Sequence, residues 1–416
     1  MRRVETLIVG GGQAGLALSR LLAEVGHEHV VLERGRVGER WRSERWDSLA
    51  LLTPAWANRL PGDPTPLDED AFATGQAFVA RLEEYARSFG APVREHRTVT
   101  GVERGLGGFV VRTDRGSWHA GDVVLASGEC AAPVVPWFAA AAPAAVGQLH
   151  ATRYRNPGQL APGGVLVVGA GASGHQIADE LARAGRPVVL AVGRHSRAPR
   201  RYRGRDIWSW LRVLGDLSRS LDDLPYDPRS SRVLGFPLDG RQGGRTIDLA
   251  VLAAAGVQIA GRLEGFAGDH ALFAGDLESN VSRADERLGR LLARIDEHIA
   301  ARAPAGEVPP REWIAPVDLP AGPRAIDLRR EEIGTILWAT GYRPHHPWLH
   351  VPDALGADGT IVHDRGRTRV PGLYVLGARW QYRMTSHMIG GVGADARFLA
   401  EQITWGRSAA TARLAA

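Results

Sequence analysis

Three glycines, Gly10, Gly12 and Gly15, stand in the spacing G-x-G-x-x-G directly after the apolar run Leu7-Ile8-Val9. Such a turn holds a pyrophosphate. The first glycine makes a tight turn, the second lets a phosphate approach the backbone, and the third lets a helix pack close to the strand. The helix that follows offers free N–H groups and a partial positive charge to the anion. Glu33, with Arg34 after it, ends the next apolar run, Val30-Val31-Leu32. An acid at this distance accepts hydrogen bonds from a ribose diol. The pattern returns 159 residues further on, where Val165-Leu166-Val167-Val168 run into Gly169, Gly171, Ser173 and Gly174. Where the first copy has Glu33, the second has Gly193-Arg194-His195-Ser196. An acid would repel a 2′-phosphate, whereas a guanidinium and a hydroxyl bind one. Two fingerprints predict two dinucleotides, FAD at the first turn and NADPH at the second.

Each turn needs a strand before it and a helix after it. The spacing predicts such a unit over residues 1–34, and a second from Gly163 with a helix from about Ser173 to Ala184 and a strand Pro187 to Val192. Between them, Gly38 to Leu49 and then Leu51 to Pro54 are too aromatic and charged for a plain connector. This segment is expected to lie along an extended cofactor; a packed surface loop with Trp anchors is the plain alternative. Residues 75–89 have helical spacing, with Phe78, Val79, Leu82, Tyr85 and Ala86 on one face. Alternation predicts a meander of Val99 to Arg104, Gly108 to Thr113 and Ser117 to Ala120, then a buried strand from Asp122 into Ser127-Gly128. Residues 206–245 form a Trp-containing insertion, either a lid or peripheral packing. A helix is expected over Asp248 to Ala255, a strand over Val257 to Ala260, and a long amphipathic helix over 282–303. Residues 304–324 read as a linker. Ile333 to Tyr342 is a buried strand through Ala339-Thr340-Gly341, echoing Ala126-Ser127-Gly128. Gly372 to Gly377 is one more strand, and the Gly-rich stretch around Gly393 opens the last helix.

The predicted fold class is α/β, with two dinucleotide-binding (Rossmann-like) domains and the NADPH domain inserted into the FAD domain. Residues 1–155 and 330–416 are assigned to FAD, and 160–328 to NADPH.

Bulk composition narrows the function. The 416 residues, 44% of them hydrophobic, fill more than one core. No apolar run reaches the roughly 18 residues of a membrane span, so a cytoplasmic protein is expected. The single cysteine, Cys130, excludes an internal disulfide and any Cys-x-x-Cys redox pair, and is expected to be a small buried residue. All 51 basic residues are Arg, which removes lysine Schiff-base chemistry and Walker-type loops. The net charge of +5 is spread along the chain with no nucleic-acid module, so no nucleic-acid partner is expected. No metal site is expected.

The order Gly10-x-Gly12-x-x-Gly15, Glu33, Gly38-x-x-Trp41, Ala126-Ser127-Gly128, Gly169-x-Gly171-x-x-Gly174, Arg194 and Ala339-Thr340-Gly341-Tyr342 covers nearly the whole chain. It resembles the class B flavoprotein monooxygenases, which comprise the flavin-containing monooxygenases, the plant YUCCA enzymes and the Baeyer–Villiger monooxygenases. Within them it is most similar to the compact bacterial FAD-dependent monooxygenases. The group's fingerprint, F-x-G-x-x-x-H-x-x-x-(Y/F or W), is matched in part over Gly147 to Tyr154. The spacing from His150 to Tyr154 agrees, that from Gly147 to His150 is one residue short, and the Phe is absent. The resemblance gives His150 and Tyr154 a place in the linker between domains. Tyr154 in place of Trp-Pro or Trp-Asp leans away from the Baeyer–Villiger branch. Ala378 stands where related flavoproteins often carry an Asp that holds the ribityl chain.

The resemblance implies an NADPH-dependent FAD monooxygenase. In such enzymes reduced flavin and O2 form a C4a-(hydro)peroxide, which oxygenates a small organic substrate, here most simply at N or S. Partners would be that substrate and O2; a homodimer stays open. Trp41, Arg45, Asp47, Thr53 and Trp56 are expected nearest the flavin, and Met384, His387 and Met388 on the substrate side. The cofactor-binding residues would be those of the two turns with Glu33, Arg34, Trp41, Ser127, Gly128, Arg194, Ser196, Ala339, Thr340, Gly341, Gly377 and Gly393. Three alternatives remain: an NADPH-dependent flavin reductase or electron-transfer flavoprotein, a Baeyer–Villiger monooxygenase, and a non-catalytic redox-sensing dinucleotide-binding protein.

Overall fold

A computed structural model describes residues 1–66, 68–228, 235–302 and 308–415, with side chains to 405. Residues 229–234 of the expected insertion, and 303–307 where the long helix was to meet the linker, lie outside them.

Both glycine turns sit where a buried strand feeds a helix. The strand Arg2–Val9 is followed by α1 (Gln13–Glu24), and the strand Gly164–Val168 by α4 (Ala172–Arg183). Between these lie α2 (Glu39–Ser43) and α3 (Gly75–Ser88). Helix α3 starts at Thr74, whose side chain accepts the Ala77 N–H, and it buries Phe78, Val79, Leu82, Tyr85 and Ala86, the face its spacing predicts. Further along are α5 (Ile207–Val213), α6 (Leu249–Ala254), α7 (Leu277–Arg302) and α8 (Val392–Ala415).

Two sheets carry the fold. The first is 10-stranded, and its parallel core places Val93–Arg94, His29–Leu32, Arg2–Val9, Gly116–Leu125 and Leu373–Val375 side by side. Ile8 is in register with Val31 on one side and Val124 on the other. The second is a 5-stranded parallel sheet in the order Gln258–Ala260, Val188–Ala191, Gly164–Val168, Ile333–Trp338, Gly147–His150. Parallel strands covered on both faces read as continuous apolar runs, as Leu7 to Val9 and Val165 to Val168 do.

Three expectations shift. Ser117–Ala120 and Asp122–Leu125 are one strand, Gly116–Leu125, which runs on through Gly121. Its first half pairs with Gly108–Thr113 and its last three residues with Leu373–Val375. The strands Gly147–His150 and Ile333–Trp338, which lie in the segments expected to bind FAD, pair in the second sheet. Strand pairing therefore moves both crossings outward from 160 and 328. The long helix begins at Leu277, five residues early.

Helices α1, α3 and α8 pack a core of Leu16, Leu22, Phe78, Tyr85 and Leu399 on one face of the first sheet. Ile177, Leu181, Leu249 and Leu252 do the same for the second. A further core joins Trp208, Trp210 and Leu211 of α5 to Leu288, Leu292, Ile295 and Ile299 of α7.

Candidate functional site

The two glycine turns are near copies in space. At Gly10 φ is +115°, and a Cβ there would stand 2.5 Å from the Ala126 carbonyl oxygen. At Gly169 φ is +113°, and a Cβ would stand 2.5 Å from that of Ala339. A Cβ on Gly15 would lie 1.9 Å from the Gly10 oxygen, and one on Gly174 1.8 Å from the Gly169 oxygen. Gly12 and Gly171 instead face open space, with nothing within 4 Å of a built Cβ. Helices α1 and α4 start at these two residues without a side-chain cap. An uncapped helix start that opens onto space at a residue without Cβ fits a pyrophosphate.

The echo of Ala126-Ser127-Gly128 in Ala339-Thr340-Gly341 is physical. Each triplet ends a sheet strand, supplies the carbonyl that touches a turn, and leads into a crossing segment. The crossings pair with each other: Tyr342 is in register with Pro133, the Val134 N–H donates to the Gly341 carbonyl at 2.9 Å, and the Thr340 hydroxyl donates to the Val134 carbonyl. Beside them a cavity of about 1330 Å³ opens. Of the expected cofactor residues, Ser127, Gly128, Gly377 and Ala339 to Gly341 line it, as do Gly169, Gly171, Ser173, Arg194 and Ser196. Gly10, Gly12, Gly15, Glu33, Arg34, Trp41, Gly174 and Gly393 are not in its wall.

Glu33 is buried beside the first turn. Its Oε2 accepts the Gly11 N–H at 2.7 Å and its Oε1 the Gly35 N–H at 3.0 Å, which fixes the carboxylate at the strand end. Arg34 is paired with Glu44. Ser196 donates its hydroxyl proton to the Gly235 carbonyl at 2.6 Å, so the donor expected for a 2′-phosphate is already engaged.

The five residues expected nearest the flavin are dispersed through the segment after Glu33, outside the cavity wall. The Trp41 indole donates to Gln13 Oε1 at 3.2 Å, meets the Phe78 ring edge at 4.9 Å, and carries the Arg45 guanidinium over its face at 5.2 Å. Asp47 is exposed and accepts from Asn156 at 2.6 Å. Thr53 donates to Asn58 at 2.8 Å. Trp56 lies under Arg212 of α5 at 4.1 Å, and its buried Nε1 has no partner. Trp56, Leu52 and Met388 all pack against the α5–α7 core. The insertion docks on the segment before α8: the Met384 N–H donates to Arg219 at 3.0 Å and the Thr385 hydroxyl to Leu217 at 3.0 Å. Burial, with the charge of Arg379, pulls the pKa of His387 down to about 4.

His150 is held as a neutral ring. Its Nδ1 accepts the Thr152 N–H at 3.2 Å, which leaves Nε2 to donate to the Gly341 carbonyl at 3.3 Å. Burial holds its pKa below the ordinary value. Tyr154 is fully buried and donates to Glu180 at 2.8 Å.

Sequence reasoning missed part of the wall. Cys130, expected to be buried, is half-exposed there. Beside it stands Glu129, whose carboxyl is pushed up by burial against the opposing N–H and charge of Arg379. Neither Glu129 nor Arg379 has a spacing signal; they stand one and two residues after the glycines Gly128 and Gly377 that follow buried strands, which was the available clue.

Comparisons with known proteins agree with this geometry. The family described as pyridine nucleotide-disulphide oxidoreductase matches residues 7–212. An oxidoreductase of Geobacillus kaustophilus, described as CzcO-like, is 32% identical over 402 residues, 96% of this chain and 98% of that one. The indole-3-pyruvate monooxygenase YUCCA1 of Oryza sativa is 35% identical over 190 residues, 45% of this chain and 47% of its own. The fold is that of the flavin-containing monooxygenase of Stenotrophomonas maltophilia, with TM-score 0.66, 22% identity, and coverage of 97% of this chain and 99% of that one. The chain belongs to the CzcO-like oxidoreductases within the class B flavin monooxygenase group, enzymes whose cofactors are FAD and NADPH.

Proposed function

We propose that this enzyme uses NADPH, FAD and O2 to oxygenate a small organic substrate at nitrogen or sulfur. The observation that carries the reading is the pair of matched cradles, one beside a fixed carboxylate and the other beside an arginine. The first sheet and its turn hold FAD: Gly10, Gly12 and Gly15 take the pyrophosphate and Glu33, with Arg34 beside it, the ribose. Trp41, Ser127, Gly128, Gly377 and Gly393 follow the cofactor's length. The second sheet holds NADPH at Gly169, Gly171, Ser173 and Gly174, with Arg194 at the 2′-phosphate and Ala339, Thr340 and Gly341 at the crossing. Ser196 lines the same wall, but with its proton given to Gly235 it does not donate to that phosphate.

When bound, FAD supplies the redox chemistry between NADPH and O2. The chain's own residues bind, orient and exclude water. Trp41, Arg45, Asp47, Thr53 and Trp56 belong to the layer that shapes the reacting end; Asn58 fixes Thr53, and Gln13 fixes Trp41. His387, neutral at pH 7, and Met384 and Met388 face the substrate. The balance is substrate, O2, NADPH and one proton in; oxygenated substrate, water and NADP+ out.

The test is product formation with isotopically labelled O2 across a panel of amines and sulfides. One labelled oxygen in product per NADPH consumed is expected. NADPH consumption matched by hydrogen peroxide, with no labelled product, would replace this reading with the reductase.

A further inference from the structure

The turn after the second nucleotide strand gathers several arginines, Arg194, Arg197, Arg262 and Arg287. Arg197, buried, donates to Asp248 at 2.8 Å and Asp285 at 2.5 Å. Arg262 has Glu264 at 3.0 Å and Asp276 at 3.5 Å. Arg287 differs: among the described contacts it has no carboxylate. Its Nη2 donates to the His195 carbonyl, and its Nε is buried without a partner. Asp285, two residues away, is taken by Arg197 and by the Val317 N–H at 3.0 Å.

The charges around Arg287 are mostly of its own sign. Burial first, then Arg194, Arg290 and Arg283, hold its pKa below the ordinary arginine value, and Glu286 opposes them. Like charges held close and partly desolvated cost free energy until an anion joins them. Arg194 and Ser196 line the cavity, but Ser196 has given its proton to Gly235. A phosphate at this turn therefore needs a second donor from elsewhere, and the Arg fork suits phosphate oxygens.

We infer that Arg287, reaching in from α7, is the second arm of the 2′-phosphate clamp and sets the preference for NADPH over NADH together with Arg194. This rests on the reading of the second glycine turn as the nicotinamide-dinucleotide site. The long helix thus has a task besides packing: its apolar face is buried against α5, and its flank carries a guanidinium to a turn 92 residues earlier.

The experiment is calorimetric titration of the FAD-loaded enzyme with 2′,5′-ADP and with 5′-AMP, probes that differ only by the 2′-phosphate. Wild type is expected to prefer 2′,5′-ADP. R287Q should lose roughly tenfold to a hundredfold of that preference, the scale of a charge-assisted bond, with 5′-AMP affinity unchanged. The unchanged 5′-AMP affinity shows that the site is still folded. R287K, which keeps the charge without the fork, should recover part of the loss. R287Q with an undiminished preference would overturn the clamp and leave the nucleotide site standing. A wild-type enzyme that does not distinguish the probes would overturn both.

Discussion

His175 follows Gly174, the last glycine of the second turn, and its side chain is fully buried. Its Nδ1 bonds the Gly171 carbonyl at 3.1 Å, and its Nε2 has no partner. Nδ1 therefore carries the proton of the neutral ring. Burial pulls the pKa down to about 4; the Gly171 bond opposes this and the nearby His195 adds to it. In the unfolded chain the ring titrates near 6.5. Between those values the unfolded state binds a proton that the native state does not, so stability falls as pH drops through that window. From pH 7 to pH 5 this one residue should cost roughly 2 kcal/mol. Urea unfolding of wild type and His175→Gln at both pH values measures it. The variant should lose less stability than wild type between the two; equal losses would mean that His175 titrates normally.

Elements are joined here by side chains that bridge them, and Arg155 is the clearest case. It lies in the segment between Gly147–His150 and Gly164–Val168. Its Nη1 donates to the carbonyls of Arg45 at 3.2 Å, Thr152 at 3.0 Å and Tyr154 at 2.8 Å, and its Nη2 to that of Ser43. Its own carbonyl accepts the Asp47 N–H at 2.8 Å. The segment of α2 and the residues after it, with Trp41 and Arg45, is thereby fastened to the crossing next to the second sheet. A lysine has one ammonium and no planar fork, so it cannot serve carbonyls on both sides. Arg155→Lys should cost about 1–3 kcal/mol, the scale for polar groups left without partners. The unfolding free energy gives the cost, and limited proteolysis shows whether cuts appear between residues 38 and 54. An unchanged unfolding curve would mean that the loop is held by Trp46 and Leu49 in the core alone.

At the scale of the molecule, the features with short repeats were legible in the sequence. The glycine spacing located both turns, and period-2 and helical patterns located α3, α7 and most strands. The repeat of Ala-Ser-Gly in Ala-Thr-Gly marked two matching strand ends, but the crossings themselves lie outward of the expected 160 and 328. Sheet membership was not legible, because Ile333–Trp338 and Leu373–Val375 are equally apolar and only pairing across long separations distinguishes them. The bridges were not legible either. Arg155, Arg287 and Glu129 look like any other charged residue until the fold brings their partners to them. The seam between the sheets is made of such bridges: Arg200 donates to the Leu52 carbonyl at 2.7 Å, the Leu221 N–H to Tyr382 at 2.8 Å, and the Tyr382 hydroxyl to Asp222 at 2.8 Å. Bonds on both sides of the insertion, together with the paired crossings, should make the two nucleotide units melt as one. A ligand at a hundred times its Kd stabilises the native state by about 2.7 kcal/mol. For a chain of this length that corresponds to a rise in Tm of roughly 3 °C. NADP+ added to the FAD-loaded enzyme should therefore raise the far-UV melt and the release of flavin fluorescence by the same increment, although the flavin is proposed to bind at the other turn. In Arg194→Gln the same NADP+ concentration should raise both by about half the wild-type increment or less, while the flavin-loaded baseline stays where it was. If NADP+ raises the far-UV melt but leaves flavin release at its original temperature, the units unfold separately and the seam does not couple them.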